Sequence, residues 1–272
     1  MVATSALPCS YSKAWSVDDE SSLYAWYKGD TLGDVGANVT EWADSSGNSR
    51  KLSKGGTNHP VVSATLNGYK GVQFGQDSSL TRTSFIDIDD QDFIFSVMYF
   101  DVDGDVESGA LIMDLDAPTT GYGLFWSDLG MLYAVTTGKD SGQIAANNFT
   151  ANTDGLVEVN NAVHTVGVCF TVERIGDTVS TYANGVLVHS FTESVTSTGA
   201  DALFMGSFSS TINDSHSTRA YEALWYLGPS LDSEIRKKIE GYMTHKYGPS
   251  SRLGGASGHK YKKATPWGRG SR

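Results

Sequence analysis

The sequence predicts an all-β fold, two antiparallel sheets stacked face to face, with one helix near the C-terminal end. Three observations carry this. Short apolar or alternating runs recur along the 272 residues between clusters of Gly, Asn, Asp and Ser. Glycine is abundant, at 30 residues, and charged residues make up only 19%, which suits loop-rich sheet better than a helical bundle. One segment alone has a helical repeat of apolar positions. A chain of this length can bury a core without disulfides or metals. Its two cysteines, Cys9 and Cys169, make neither a disulfide framework, a four-cysteine zinc site nor a CxxC motif.

Taken in order, strands are expected at residues 23–27, 39–42, 71–74, 92–100, 110–114, 122–126, 131–136, 162–173, 177–189, 202–207 and 220–227. Turn sequences separate them. Asn67-Gly68, Asp103-Gly104 and Asn184-Gly185 accept positive φ and so close tight hairpins. The clearest hairpin runs through Ile175-Gly176, and a second follows at once with Asn184-Gly185 at its tip. Antiparallel sheets of this kind bury one face each by stacking. The helix is expected over residues 231–246. Asp232 or Ser233 caps its start, Leu231, Ile235, Ile239 and Tyr242-Met243 form its apolar stripe, and Gly248-Pro249 stops it. Cys169 is expected to be a buried free thiol, and Trp26, Trp42 and Trp225 are expected in the core.

Charge is unevenly distributed. The chain carries a net −11, yet residues 249–272 hold Arg252, Lys260, Lys262, Lys263, Arg269 and Arg272 and no acidic residue, so all 31 acidic residues lie in the body. An acidic body argues against nucleic acid as a partner, because phosphate contacts need clustered Lys and Arg. No window approaches the roughly 18 continuous apolar residues of a membrane span. The start MVATSALPCSYSK has no basic, apolar leader pattern, so no export signal is expected. Three segments follow: an N-terminal arm (1–20), the sandwich (21–248) and a basic, Gly-rich tail (249–272). The tail is either a solvated terminus or an anchor on an acidic surface, through Arg252, Lys260, Lys262, Lys263, Trp267 and Arg269.

Several stretches resemble the concanavalin A-like lectin/glucanase superfamily in its laminin-G-like or pentraxin-like form. They are LYAWYKGDTLGDVGANVTEWADSSGNSRKLS from Leu23, HPVVSATLNGYKGVQFGQDSSL from His59, HTVGVCFTVE with STYANGVLVHSF, and ALFMGSFSS followed by RAYEALWYLGPSLDSEIRKKIEGYMTHKYG. The last is the most specific. The resemblance implies a jelly-roll sandwich of about twelve strands, and such a superfold hosts many unrelated functions.

Members of the glucanase branch carry alternate Glu, Asp and Glu on one strand face. Here only Asp114 and Asp116 share a face, beside Pro118 and with no Glu, so a strand-end turn competes with catalysis. Two acidic clusters have the alternate oxygens that suit calcium: Asp87, Asp89, Asp90 and Asp92, and Asp101, Asp103, Asp105 and Glu107. The second is no EF-hand, because Val106 and Ile112 stand where Gly and Glu are required; a solvated acidic hairpin is the competing reading. No cofactor other than such a calcium is expected. A glycan platform needs aromatic rings with polar neighbours, which Tyr122, Trp126, Asp128, Tyr133 and Asn148 supply; core packing is the alternative for the rings.

These observations lead to one expectation and two alternatives. Similar sandwiches occur in phage virion proteins. The leading expectation is therefore a non-enzymatic virion protein, a capsid decoration or tail/fibre component made in the host cytoplasm. It would be held by other virion proteins or sister subunits as a homo-oligomer, with loops that bind host glycans. The alternatives are a polysaccharide hydrolase or lyase and a secreted carbohydrate-binding module.

Overall fold

The structure is a computed structural model, and it describes residues 15–86, 91–101, 109–114, 121–126, 132–135, 168–192, 201–206, 218–229 and 231–248. Fifteen strands appear among them, in this order: β1 (Leu23–Lys28), β2 (Glu41–Trp42), β3 (Leu52–Lys54), β4 (Val61–Val62), β5 (Val72–Phe74), β6 (Leu80–Ile86), β7 (Phe93–Asp101), β8 (Gly109–Asp114), β9 (Gly121–Trp126), β10 (Leu132–Val135), β11 (Val168–Ile175), β12 (Thr178–Ala183), β13 (Val186–Thr192), β14 (Asp201–Met205) and β15 (Thr218–Leu227). One α-helix is found among the described residues, α1 (Ser233–Tyr247).

The strands form two sheets. Sheet A runs β13-β12-β11-β7-β15-β5-β4, with β1 also paired to β15, and sheet B runs β10-β9-β8-β14-β6-β3-β2. Every pairing between these strands is antiparallel. The expected all-β sandwich with one C-terminal helix is therefore what the chain adopts. The two adjacent hairpins lie where the turns place them, β11 to β12 through Gly176 (φ 57°) and β12 to β13 through Asn184 and Gly185 (φ 48° and 78°).

The interior between the sheets is built from large side chains. Trp225, Phe74, Phe93, Phe95, Trp42, Tyr27, Leu52 and Leu80 are all buried there. Trp225 is the centre, with ring centroids at 4.8 Å from Phe95, 5.4 Å from Phe85 and 6.0 Å from Phe93. Trp26 is a correction. It lies on the other side of sheet A, half-buried beneath α1, because Ala25 and Tyr27 take the interior positions of β1 and alternation turns Trp26 outward.

A second apolar layer fills the space between sheet A and α1: Ile94, Met98, Cys169, Tyr221, Leu224, Tyr226, Ile239, Met243 and Tyr247. Strand β15 therefore contributes to both layers, Ala223 and Trp225 on one side, Leu224 and Tyr226 on the other. A bulge between Ala220 and Glu222 breaks the alternation, so that Tyr221 and Glu222 both point toward α1. The helix starts at its expected cap, Asp232, whose carboxylate accepts from the Glu234 and Ile235 N–H groups. It ends at Gly248, in the left-handed conformation at φ 100°. Of the expected N-terminal arm, the described part, Trp15–Glu20, lies along this layer: Val17 is buried and its carbonyl accepts from the Tyr226 hydroxyl at 2.8 Å.

The D-x-S-G-N stretch after β2 has a structural use. Asp44 accepts three backbone N–H groups, from Trp26 at 3.0 Å, Ser46 at 2.9 Å and Arg50 at 2.8 Å. One carboxylate thus fastens the β2–β3 turn to β1. Burial opposes its charge, but the Ser46, Arg50 and Trp26 donors outweigh it and hold the carboxyl below its ordinary 3.8. Its stabilisation is present above that value and lost as pH falls through the lowered folded one. Asp44→Ala is expected to cost about 1–3 kcal/mol in urea unfolding at neutral pH; an unchanged midpoint would contradict this role.

Candidate functional site

The aromatic set expected to bind glycans sits at one edge of sheet B. Tyr122 and Trp126 lie in β9 and Tyr133 in β10, the last strand of sheet B among the described residues, while Asp128 and Asn148 fall outside them. The backbone register divides the three. Trp126 pairs with Leu132 and Leu124 with Ala134, whereas Tyr133 pairs with Phe125. Leu124 in turn pairs with Leu111, Leu111 with Met205 and Met205 with Leu80. Met205 and Leu80 belong to the interior. Positions 122, 124 and 126 therefore register with the interior side of the sheet, and positions 125 and 133 with the opposite side.

The other candidates are placed as follows. Asp101 ends β7, with its backbone opposite Thr218, and Asp103, Asp105 and Glu107 lie outside the described residues. Asp87, Asp89 and Asp90 also lie outside them. Asp92 is a turn holder: its carboxylate accepts the Gly176 N–H at 2.7 Å and its carbonyl the Gly228 N–H at 3.1 Å. Asp114 ends β8 opposite Gly121, and Asp116 is not described. The tail residues Arg252, Lys260, Lys262, Lys263, Trp267 and Arg269 all lie outside the described residues. Among the described residues, no three His, Cys, Asp or Glu side chains are grouped to hold a metal, and no helix is long and apolar enough to cross a membrane. Cys169 is buried as expected. Its thiol lies 3.6 Å from Ser96 Oγ and 3.9 Å from Met243 Sδ, and burial pushes its pKa up to about 12, so it is not a thiolate at neutral pH.

The concentrated chemistry of the described residues is the seam between sheet A and α1, which holds two carboxylate clusters. The first centres on Glu222, fully buried on β15. Its Oε1 accepts Trp26 Nε1 at 2.5 Å and the Tyr242 hydroxyl at 2.9 Å. Its Oε2 accepts Lys246 Nζ at 2.6 Å and the Tyr247 hydroxyl at 2.8 Å. Four donors saturate the carboxylate. Burial and then the Glu222 charge push the Tyr242 and Tyr247 hydroxyls well above the ordinary tyrosine range, so both remain donors.

The second cluster joins Glu173 on β11 to Arg236 and Glu240 on α1. Arg236 Nε meets Glu173 Oε2 at 3.0 Å, and Arg236 Nη1 meets both oxygens of Glu240 at 3.0 and 2.8 Å. The guanidinium also stacks 3.6 Å from the Tyr182 ring centroid. Burial opposes the Arg236 charge, but Glu240 and Glu173 outweigh it and hold the guanidinium above its ordinary value. Glu173 shares its counter-ion with Glu240, so burial wins there and its carboxyl is raised above 4.5. A carboxyl raised on folding makes the folded state bind the proton more tightly. The folded state is then favoured as pH falls toward 4.5 and loses that share as pH rises through the raised value. Glu173→Gln, which mimics the protonated form, is expected to gain stability relative to the native chain as pH rises from 4.5 to 8. A difference in urea midpoint that does not change with pH would contradict this.

Buried against these donors, the three acids tie α1 to sheet A. The sequence does mark them. Glu222 is a lone acid in the otherwise buried run of β15, and Arg236 and Glu240 stand at i, i+4 on the helix face that carries Ile239 and Met243.

No family model and no curated protein matches this chain. Solved structures do. The binding domain of Paraclostridial mosquitocidal protein 1 superposes with a TM-score of 0.56 at 14% identity, over 85% of this chain and 53% of that one. A structure of botulinum neurotoxin type C, described by the dependence of cell entry on two ganglioside molecules, gives 0.54 at 11% identity, over 82% and 51%. Trypanosoma rangeli sialidase in complex with a difluorosialic acid covalent intermediate gives 0.53 at 12% identity, over 81% and 33%. This chain spans about half the length of the toxin structures and a third of the sialidase. At these identities the likeness is one of fold.

Proposed function

We propose that this chain is a non-catalytic, lectin-like sandwich that binds cell-surface glycans and is carried on a phage particle. The observation that supports glycan binding most is the shared backbone with a toxin structure whose cell entry depends on gangliosides. The state of the acids supports binding over hydrolysis: Glu173, Glu222 and Glu240 are engaged by Arg, Lys, Trp and Tyr donors in the seam beneath α1 rather than set out as an acid and nucleophile pair. On this reading the sandwich, 21–248, presents the binding surface. The basic tail holds the chain to virion proteins or to sister copies through Arg252, Lys260, Lys262, Lys263, Trp267 and Arg269. The particle location rests on the superfamily resemblance and on the contrast between acidic body and basic tail.

The test is retention of the full chain on a glycan array. Saturable retention of a subset of glycans is expected, and retention of none would overturn the reading. The tail is tested separately, in particles assembled with a chain lacking 249–272. Loss of the chain from those particles is expected; normal incorporation would remove the anchor.

A further inference from the structure

Arg82 is out of place on β6. It lies opposite Leu203, as Leu80 lies opposite Met205, so its side chain starts on the interior side of sheet B. Its Nε is buried and has no hydrogen-bond partner. Its Nη1 lies 3.4 Å from the Ser49 carbonyl and 3.4 Å from the Lys51 carbonyl, so the half-buried guanidinium comes out beside the β2–β3 turn. Both contacts are longer than an ordinary N–H···O bond. A charged donor buried without an acceptor is costly and calls for a reason.

Arg50 stands in the chain between those two carbonyls. Its Nη1 donates to the Tyr24 carbonyl at 3.0 Å, and its guanidinium lies 3.7 Å from the Tyr24 ring centroid. These contacts fix the side chain but engage one nitrogen of the fork. Arg50 Nε and Nη2 and Arg82 Nη2 make no hydrogen bond and, unlike Arg82 Nε, are not buried. Among the described residues neither arginine has a carboxylate within ion-pair distance. The acids close by are already engaged: Asp44 accepts three backbone N–H groups, and Glu41 pairs with Lys51. Both guanidiniums act on one buried oxygen, the Tyr27 hydroxyl, which donates to the Arg50 carbonyl at 2.5 Å. Burial and then Asp44 push that hydroxyl up, while Arg82 and Arg50 oppose the rise. Two cations without an acid partner thus share one place in a chain of net charge −11.

We propose that Arg50 and Arg82 form a binding site for the acidic group of a saccharide, a carboxylate or a sulfate ester. A guanidinium fork meets either oxyanion with paired N–H donors, and the nitrogens without partners are the ones such a group engages. The two 3.4 Å contacts of Arg82 are weak enough to give way. The guanidinium can then turn its Nε–Nη2 side to the oxyanion, which supplies the acceptor that Nε lacks. Arg50 is the fixed half of the site, because its turn is pinned to β1 through Asp44. This rests on the glycan-binding reading and adds the charge of the ligand and the place, where β6 meets the β2–β3 turn.

The test is calorimetric titration of the full chain with methyl glucuronide, glucose 6-sulfate, methyl glucoside and inorganic sulfate. One acidic sugar at least is expected to bind about tenfold more tightly than the glucoside, the scale of one charge-assisted hydrogen bond. Which of the two it is names the oxyanion. Inorganic sulfate is expected to bind about tenfold more weakly than that sugar. Arg50→Gln and Arg82→Gln are each expected to abolish the preference and leave the glucoside unchanged. Because Arg50 also holds Tyr24, a second readout uses the unsubstituted chain. The Nε–H NMR signals of Arg50 and Arg82, assigned with Arg50→Lys and Arg82→Lys, are expected to shift saturably with the acidic sugar and to stay still with the glucoside. Equal affinity for acidic and neutral sugars, sulfate as tight as the sugar, or arginine signals that an acidic sugar leaves in place would each overturn the site. Retention of the chain on neutral glycans alone overturns this site and spares the broader reading, whereas retention on no glycan overturns both.

Discussion

Arg236→Ala is expected to destabilise the chain by about 3–5 kcal/mol, the cost of removing one partner from a buried ionic cluster. The side chains of Glu173 and Glu240 are 9% and 0% exposed. Both depend on one guanidinium. Without it two carboxylates face each other in a dry seam, and each must either take up a proton or reach water. Either route loosens α1 from β11 and exposes Ile239 and Met243. The measurement is a urea midpoint at pH 7, and a loss below 1 kcal/mol would mean that water enters the seam in the native state. A companion variant separates charge from packing. Replacing Glu173, Arg236 and Glu240 together with apolar residues of similar size is expected to recover most of the loss, because no charge is then left buried.

Trp225→Ala is expected to cost a similar amount, about 3–5 kcal/mol, through a different mechanism. The indole is fully buried and packs on Phe85, Phe93 and Phe95, which come from both sheets. Truncation leaves a cavity at the place where the sheets meet, and the strands cannot close over it without breaking their ladders. For a domain of this size the thermal midpoint is expected to drop by roughly 2–4 °C per kcal/mol. A drop of only a degree or two would place Trp225 outside the load of the core. Trp225→Phe, which keeps a ring in the cluster, is expected to lose less than Trp225→Ala.

Much of the fold is legible in the sequence, for physical reasons that differ between elements. Asn184-Gly185 and Gly176 announce their hairpins because few residues accept positive φ at a turn. Asp232 and Gly248 announce α1 because a helix end needs an acceptor at its start and a left-handed residue past its finish. The short strands β3 and β4 are illegible, since two or three residues show no period and exist only because longer neighbours pair with them. Trp26 misleads in the opposite way. A tryptophan on a strand reads as core, but β1 is covered on both sides, and only the register with β15 decides which side it serves. Register also separates Tyr133 from Tyr122 and Trp126, which composition alone groups together. Glu222 reaches α1 through a bulge that no spacing rule anticipates.

The most direct measurement is mass analysis of an oligosaccharide recovered after long incubation with saturating protein. Binding without chemistry predicts that the sugar is retained by the chain and returned with its mass unchanged. Shortened products, or an unsaturated sugar end, would make the chain an enzyme and would contradict a surface that only binds.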